Sequence, residues 1–240
     1  MKKIILSLLI VPLAMIGCRK DDDKPLQKVD VATQNSYDDE AAQAFLENNY
    51  FDAQGNVKTF TDKEPADSTR VKLSSLNPVK LPSGVIYVVR PGAQPADGRT
   101  LADQDVITLQ FRATTYVAEP HEGKTIYQSP INFYNTVNGT GTPTTDPSWY
   151  YVKKSVLDAN KNVARSYFEI EGFQEAIKHF KSYDQPDEAN YNLQGVIIVP
   201  SRAAFARDPH FNYINYNLND RTFVFNFQLY RSHTRTEDEK

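Results

Sequence analysis

Residues 194–229 read Gln194-Gly-Val-Ile-Ile-Val199-Pro-Ser-Arg-Ala-Ala-Phe205, then a polar stretch, then Thr222-Phe-Val-Phe-Asn-Phe-Gln-Leu229. The stretch joins an apolar strand, a Pro-Ser turn and a closing strand whose aromatics alternate. Phe223, Phe225, Phe227 and Leu229 share one face of that last strand, and Val224, Asn226 and Gln228 share the other. One side of the sheet to which these strands belong is therefore expected to carry an aromatic core.

Working outward, Gly172 to Phe180 places Phe173, Ala176, Ile177 and Phe180 at helical spacing, which predicts one amphipathic helix of about three turns. Ser83 to Val89 reads as a turn feeding a strand. Asp105 to Phe111 reads as a second strand, in which Ile107, Leu109 and Phe111 alternate with Thr108 and Gln110. A third is expected to begin at Gly123. Residues 135–148 are rich in Gly, Pro, Asn and Thr, so a long exposed loop is expected there, closed by Trp149-Tyr150-Tyr151. Further upstream, Ser36 with Asp39 has the look of a capping box for a short helix over about 37–49. Residues 50–80 read as irregular connection. One helix laid across a curved antiparallel sheet makes an α+β domain over 81–231, with an insertion near 130–151 and a polar tail at 232–240.

At the N-terminus, Lys2-Lys3 precedes a short apolar run that is too interrupted to remain as a spanning helix. The run ends in Met15-Ile16-Gly17-Cys18, which resembles a bacterial lipobox, so residues 1–17 read as a signal peptide and Cys18 as the lipidated residue. Residues 18–35 read as a solvated tether. Within it, Lys20-Asp21-Asp22 resembles the surface-export signal of Bacteroidetes lipoproteins. Asp67-Ser68-Thr69 resembles an O-glycosylation motif of that phylum. The expectation is an outer-membrane lipoprotein, facing the periplasm or the cell surface. Cys18 is the only cysteine, which excludes an intramolecular disulfide.

The 240 residues carry a net charge of −3 and no basic cluster, which argues against a nucleic-acid partner. Aromatics make up 12%, with 14 Tyr and 13 Phe, as suits a β-rich domain with aromatic packing. The histidines His121, His179, His210 and His233 lack metal-ligand spacing, and no Gly-rich phosphate loop or nucleophile elbow appears, so neither a metal nor a cofactor is expected.

The order of strands, the single helix, the Pro200-Ser-Arg-Ala-Ala-Phe205-Ala206 turn and the closing strand together resemble FKBP-type peptidyl-prolyl isomerases over about residues 83–230. That resemblance implies an aromatic cup for a proline ring. Its wall and floor would be Phe111, Tyr127 of Tyr127-Gln128-Ser129, Ile170, Phe173, Phe205 and Phe225. Gln128 stands where the family has an acidic residue, Phe205 where it has a tyrosine, and Ala206 where it has a glycine. Such a cup needs no nucleophile. The X-Pro amide resists rotation by about 18–20 kcal/mol, and a dry pocket favours the twisted amide, which has less charge separation. With a carboxylate and a hydroxyl missing, weak turnover is expected on X-Pro-containing exported polypeptides. The alternative is a non-catalytic peptide- or ligand-binding protein on the same fold, which a cup blocked by the insertion would favour. By their spacing alone, Phe173, Ile177 and Phe180 are core residues. Trp149, Tyr150 and Tyr151 read either as an exposed recognition patch or as packing for the insertion.

Overall fold

The computed structural model describes residues 28–61 and 69–240. The signal peptide, Cys18, the acidic run behind it, and Asp67 and Ser68 all lie outside the described residues. Among those described, no helix is long and apolar enough to cross a membrane.

The elements run α1 (Val31–Asn48), β1 (Asn49–Phe51), β2 (Val57–Thr59), β3 (Val79–Lys80), β4 (Ile86–Val89), β5 (Arg99–Thr100), β6 (Val106–His121), β7 (Lys124–Asn135), β8 (Thr144–Thr145), α2 (Lys154–Ala159), α3 (Glu171–Ile177), β9 (Lys181–Ser182), β10 (Gly195–Val199) and β11 (Arg221–His233). The main sheet is antiparallel in the order β3-β4-β10-β11-β6-β7, with β8 also pairing to β6. This is an α+β architecture with an open sheet.

The alternation in β11 is realised: Phe223, Phe225, Phe227 and Leu229 are fully buried on the side that α3 covers. The three phenylalanines stand opposite Val199, Ile197 and Gly195 of β10. Gly172 is what lets α3 sit so close. A Cβ there would lie 2.6 Å from Val199 Cγ1 and 2.8 Å from both Ala203 O and Val85 Cγ2. Gly172→Ala is therefore expected to lower the unfolding free energy by about 1–3 kcal/mol, read as a shift in the urea midpoint at unchanged m. An unshifted midpoint would mean that the helix has room to move.

The reverse face, which carries Val224, Asn226 and Gln228, is covered too. Val224 packs there with Val196, Ile198, Ile86 and Val88 under Ala42 and Leu46 of α1. Asn226 bonds the β1–β2 hairpin, accepting from Val57 N at 3.0 Å and donating to Gly55 O at 2.9 Å. The helix ahead of the domain is thus part of it. It also begins earlier than Ser36. Asp30 is the N-cap, accepting from Thr33 N at 2.9 Å, while Ser36 sits inside the helix against Glu40. The reading of residues 31–35 as tether gives way because this first turn docks on the sheet: Gln34 donates to Ala118 O at 3.2 Å.

The remaining differences are local. Residues 50–80 hold the β1–β2 hairpin and a 3-10 turn at Leu73–Ser75 rather than purely irregular chain. The second strand runs ten residues past Phe111, to His121, because Glu122 and Gly123 supply the two positive φ angles, 48° and 79°, of a tight hairpin. Helix α3 spans seven residues, two turns rather than three. In the expected exposed loop, Thr136 is buried, its Oγ1 accepting from Phe111 N at 2.9 Å. The polar tail is anchored: Arg235 pairs with Asp146 at 2.5 Å and lies 3.5 Å over the Tyr151 ring.

Candidate functional site

The aromatic cluster between α3 and the sheet is assembled from distant segments by a few backbone bonds. Ile170 N donates to Trp149 O at 2.8 Å, pinning the end of the insertion beside the start of α3. Gln174 reaches back to Tyr150 O at 2.5 Å, and Tyr150 OH donates to Asp105 O at 3.0 Å. Glu169 stands behind them, accepting from Val152 N and Arg165 at 2.8 Å each.

Five of the expected cup residues meet in this cluster: Phe111, Ile170, Phe173, Phe205 and Phe225. Phe173 lies 4.6 Å from Phe225, ring centre to ring centre, and Phe205 lies 5.9 Å from Phe223. Tyr127 and Gln128 do not join them. Tyr127 packs on the opposite face of the sheet, 5.3 Å from Tyr116 and 5.9 Å from Phe45 of α1. The cause is register. Between Thr115 and Val117, strand β7 carries one extra residue, with Ser129 at φ 51°, and such a bulge exchanges the faces on either side of it. Tyr127 pairs with Ala118, on the face opposite Phe111.

Phe133 takes the place expected for Tyr127. A second register shift, between Ala113 and Thr114, brings its ring 5.1 Å from Phe223 and 6.5 Å from Phe225. The hydrophobic alternation of Ile131 and Phe133 was the available signal, hidden by the two bulges.

Trp149 is not a surface patch. Its indole is 2% exposed, and its centre lies 5.3 Å from Phe111, 5.0 Å from Phe173 and 5.1 Å from Phe225. Tyr150 and Tyr151 are likewise buried. Tyr213, from the loop after Phe205, closes a further side, 5.6 Å from Phe133, and donates its hydroxyl to Phe168 O at 2.8 Å. Burial pushes that phenol well above its ordinary pKa, against the bond from Ser148. The hydroxyl that Phe205 lacks is therefore not supplied free by Tyr213. The cluster is a filled aromatic core in which none of the expected residues is more than 2% exposed.

The arrangement is an α+β fold with an open antiparallel sheet and a filled aromatic cluster under α3. No family model matches the chain, and no curated protein matches it. Among solved structures it is similar to FkpA from Escherichia coli, at 17% identity over 65% of this chain and 52% of that one, TM-score 0.36. It is also similar to a peptidyl-prolyl cis-trans isomerase from Pseudomonas syringae pv. tomato, at 9% identity over 87% and 98%, TM-score 0.40. A DUF4827 family protein from Parabacteroides distasonis is similar at 13% identity over 84% and 98%, TM-score 0.41. The match spans about half the length of FkpA, and all three likenesses are distant ones.

Proposed function

We propose that this chain is a lipid-anchored envelope protein, a non-catalytic ligand-binding descendant on an FKBP-like fold that has lost most or all isomerase turnover. The observation that carries the reading is Trp149. A proline ring entering the cup would have to displace a packed indole from Phe111, Phe173 and Phe225. Emptying such a site costs about 3–5 kcal/mol, which as a penalty on the transition state is a factor of roughly a hundred to several thousand in rate. The loss of hydroxyl at Phe205 acts in the same direction.

The test is cis-trans exchange of a short X-Pro peptide, followed by NMR with the parent protein and with Phe173→Ala. The parent is expected to leave exchange at the uncatalysed rate. Acceleration by the parent that disappears in Phe173→Ala would sink the proposal and establish an isomerase. That second reading is favoured by the convergence of Phe111, Ile170, Phe173, Phe205 and Phe225 in one cluster. The anchor rests on the Met15-Ile16-Gly17-Cys18 motif. Cys18→Ser is expected to abolish lipid labelling and to release the protein from the membrane fraction, whereas unchanged labelling would exclude Cys18 as the acceptor.

A further inference from the structure

A groove of about 690 Å³ opens between the start of α1, the far end of β6 and the loop 215–221, and none of the cup residues lines it. Its size is that of a small-ligand site. At its base lies Arg221, only 3% exposed. Arg221 Nε donates to Thr115 Oγ1 at 2.7 Å, and Nη2 donates to Thr115 O at 2.9 Å and to Ser129 O. Among the described residues, Nη1 has no acceptor and the guanidinium has no carboxylate partner. Burying a cation in this way is costly unless an anion joins it.

The groups around Arg221 point to the kind of anion. Tyr216 lies over the guanidinium, which is 5.5 Å from the ring centre, yet it is 51% exposed and so presents an open aromatic face. Asn217 uses its Oδ1 to accept from Asn219 N at 2.8 Å, and Asn215 uses its Oδ1 to accept from Asn212 at 3.2 Å. Both side-chain NH2 groups are left without an acceptor among the described residues. Lys28 stands on the rim. Against these donors the groove has Glu119 and Asp220, and Asp220 is held by Arg207 at 2.6 Å.

We propose that this groove binds a carboxylate-bearing sugar, with Arg221 Nη1 on the carboxylate, Tyr216 against the ring and the loop asparagines on the hydroxyls. A charge-assisted bond to a guanidinium suits a carboxylate, and sugar hydroxyls satisfy both donors and the remaining acid, Glu119. A peptide added as a strand is disfavoured. Val117 is paired on both sides, to Arg221 of β11 and Gln128 of β7. Beyond it residues 118–121 pair only with β7, but Ala118 O already accepts from Gln34 and Pro120 has no N–H for an added strand.

The test is calorimetric titration of the intact protein in detergent with a tri-uronic acid, the matching neutral trisaccharide and an acidic tripeptide. Because Arg221 also clasps β6 to β7, the variants are Tyr216→Ala and Asn217→Asp. The latter keeps the oxygen that accepts from Asn219 N and puts a negative charge on the wall. The tri-uronate is expected to bind at least about tenfold more tightly than the neutral sugar, and each variant to weaken it by about tenfold or more. Equal binding of the neutral sugar, affinity unchanged in both variants, tighter binding of the acidic peptide, or no binding by the tri-uronate would each overturn the proposal.

Discussion

Trp149→Ala is expected to lower the unfolding free energy by about 3–5 kcal/mol and to open the cup to X-Pro peptides. The stability loss follows from deleting an indole that meets Phe111, Phe133, Phe173 and Phe225 within 6.2 Å and is 2% exposed. Truncating a large buried aromatic removes its transfer free energy and leaves a cavity that rigid neighbours only partly close. Here those neighbours sit on β6, β7, β11 and α3, which limits collapse. Urea unfolding measures the first effect, and a loss below about 1 kcal/mol would mean that the indole is not a packed filler. Shifts of an X-Pro peptide's resonances on titration measure the second. Peptide binding by the variant and not by the parent is the expected pair of results. A destabilised variant that still ignores the peptide would show that the cup closes over the space instead.

Asp38→Ala is expected to cost about 2–4 kcal/mol, although no catalytic role attaches to it. Asp38 is fully buried in α1 and accepts from Ser201 N at 2.8 Å, Ser201 Oγ at 2.6 Å and Gln34 Nε2 at 3.1 Å. It is the bolt between the N-terminal helix and the Pro-Ser turn, and its loss strands Ser201 N in a dry site. The nearby Arg202 is committed to Asp39, at 2.6 Å. Burial raises the Asp38 pKa above its ordinary 3.8, outweighing the lowering by Ser201, Gln34 and Arg202. In the window from that ordinary value up to the raised one, the folded chain holds more protons than the unfolded chain. Stability from this group is thus fully present below the window and declines as pH rises through it. The parent's advantage over Asp38→Ala should therefore be larger near pH 4 than near pH 7. A gap that widens with rising pH would reverse the sign of the shift.

The sheet was legible because its signal is local. Alternation places Phe223, Phe225 and Phe227 on one face whatever else the chain does, since a strand turns its side chains over every residue. Helix α3 was legible for the same reason, from the spacing of Phe173, Ala176 and Ile177. With those elements in place, Phe111, Ile170 and Phe205 lie in the same cluster.

Three things depended on contacts between segments far apart in the chain. The start of α1 belongs to the fold because Gln34 and Asp38 bond to Ala118 and Ser201, not because residues 31–35 have a pattern of their own. The exchange of Tyr127 for Phe133 follows from two bulges in β7, and a bulge is set by the strand it faces. The closing of the cup is decided by Trp149, whose neighbours lie 38 residues before it and 24 and 76 residues after it. Residue type and periodicity determine which side chains must leave water. Which of them fill the same space, and so whether the cup stays open for a ligand, is decided only when those segments pack.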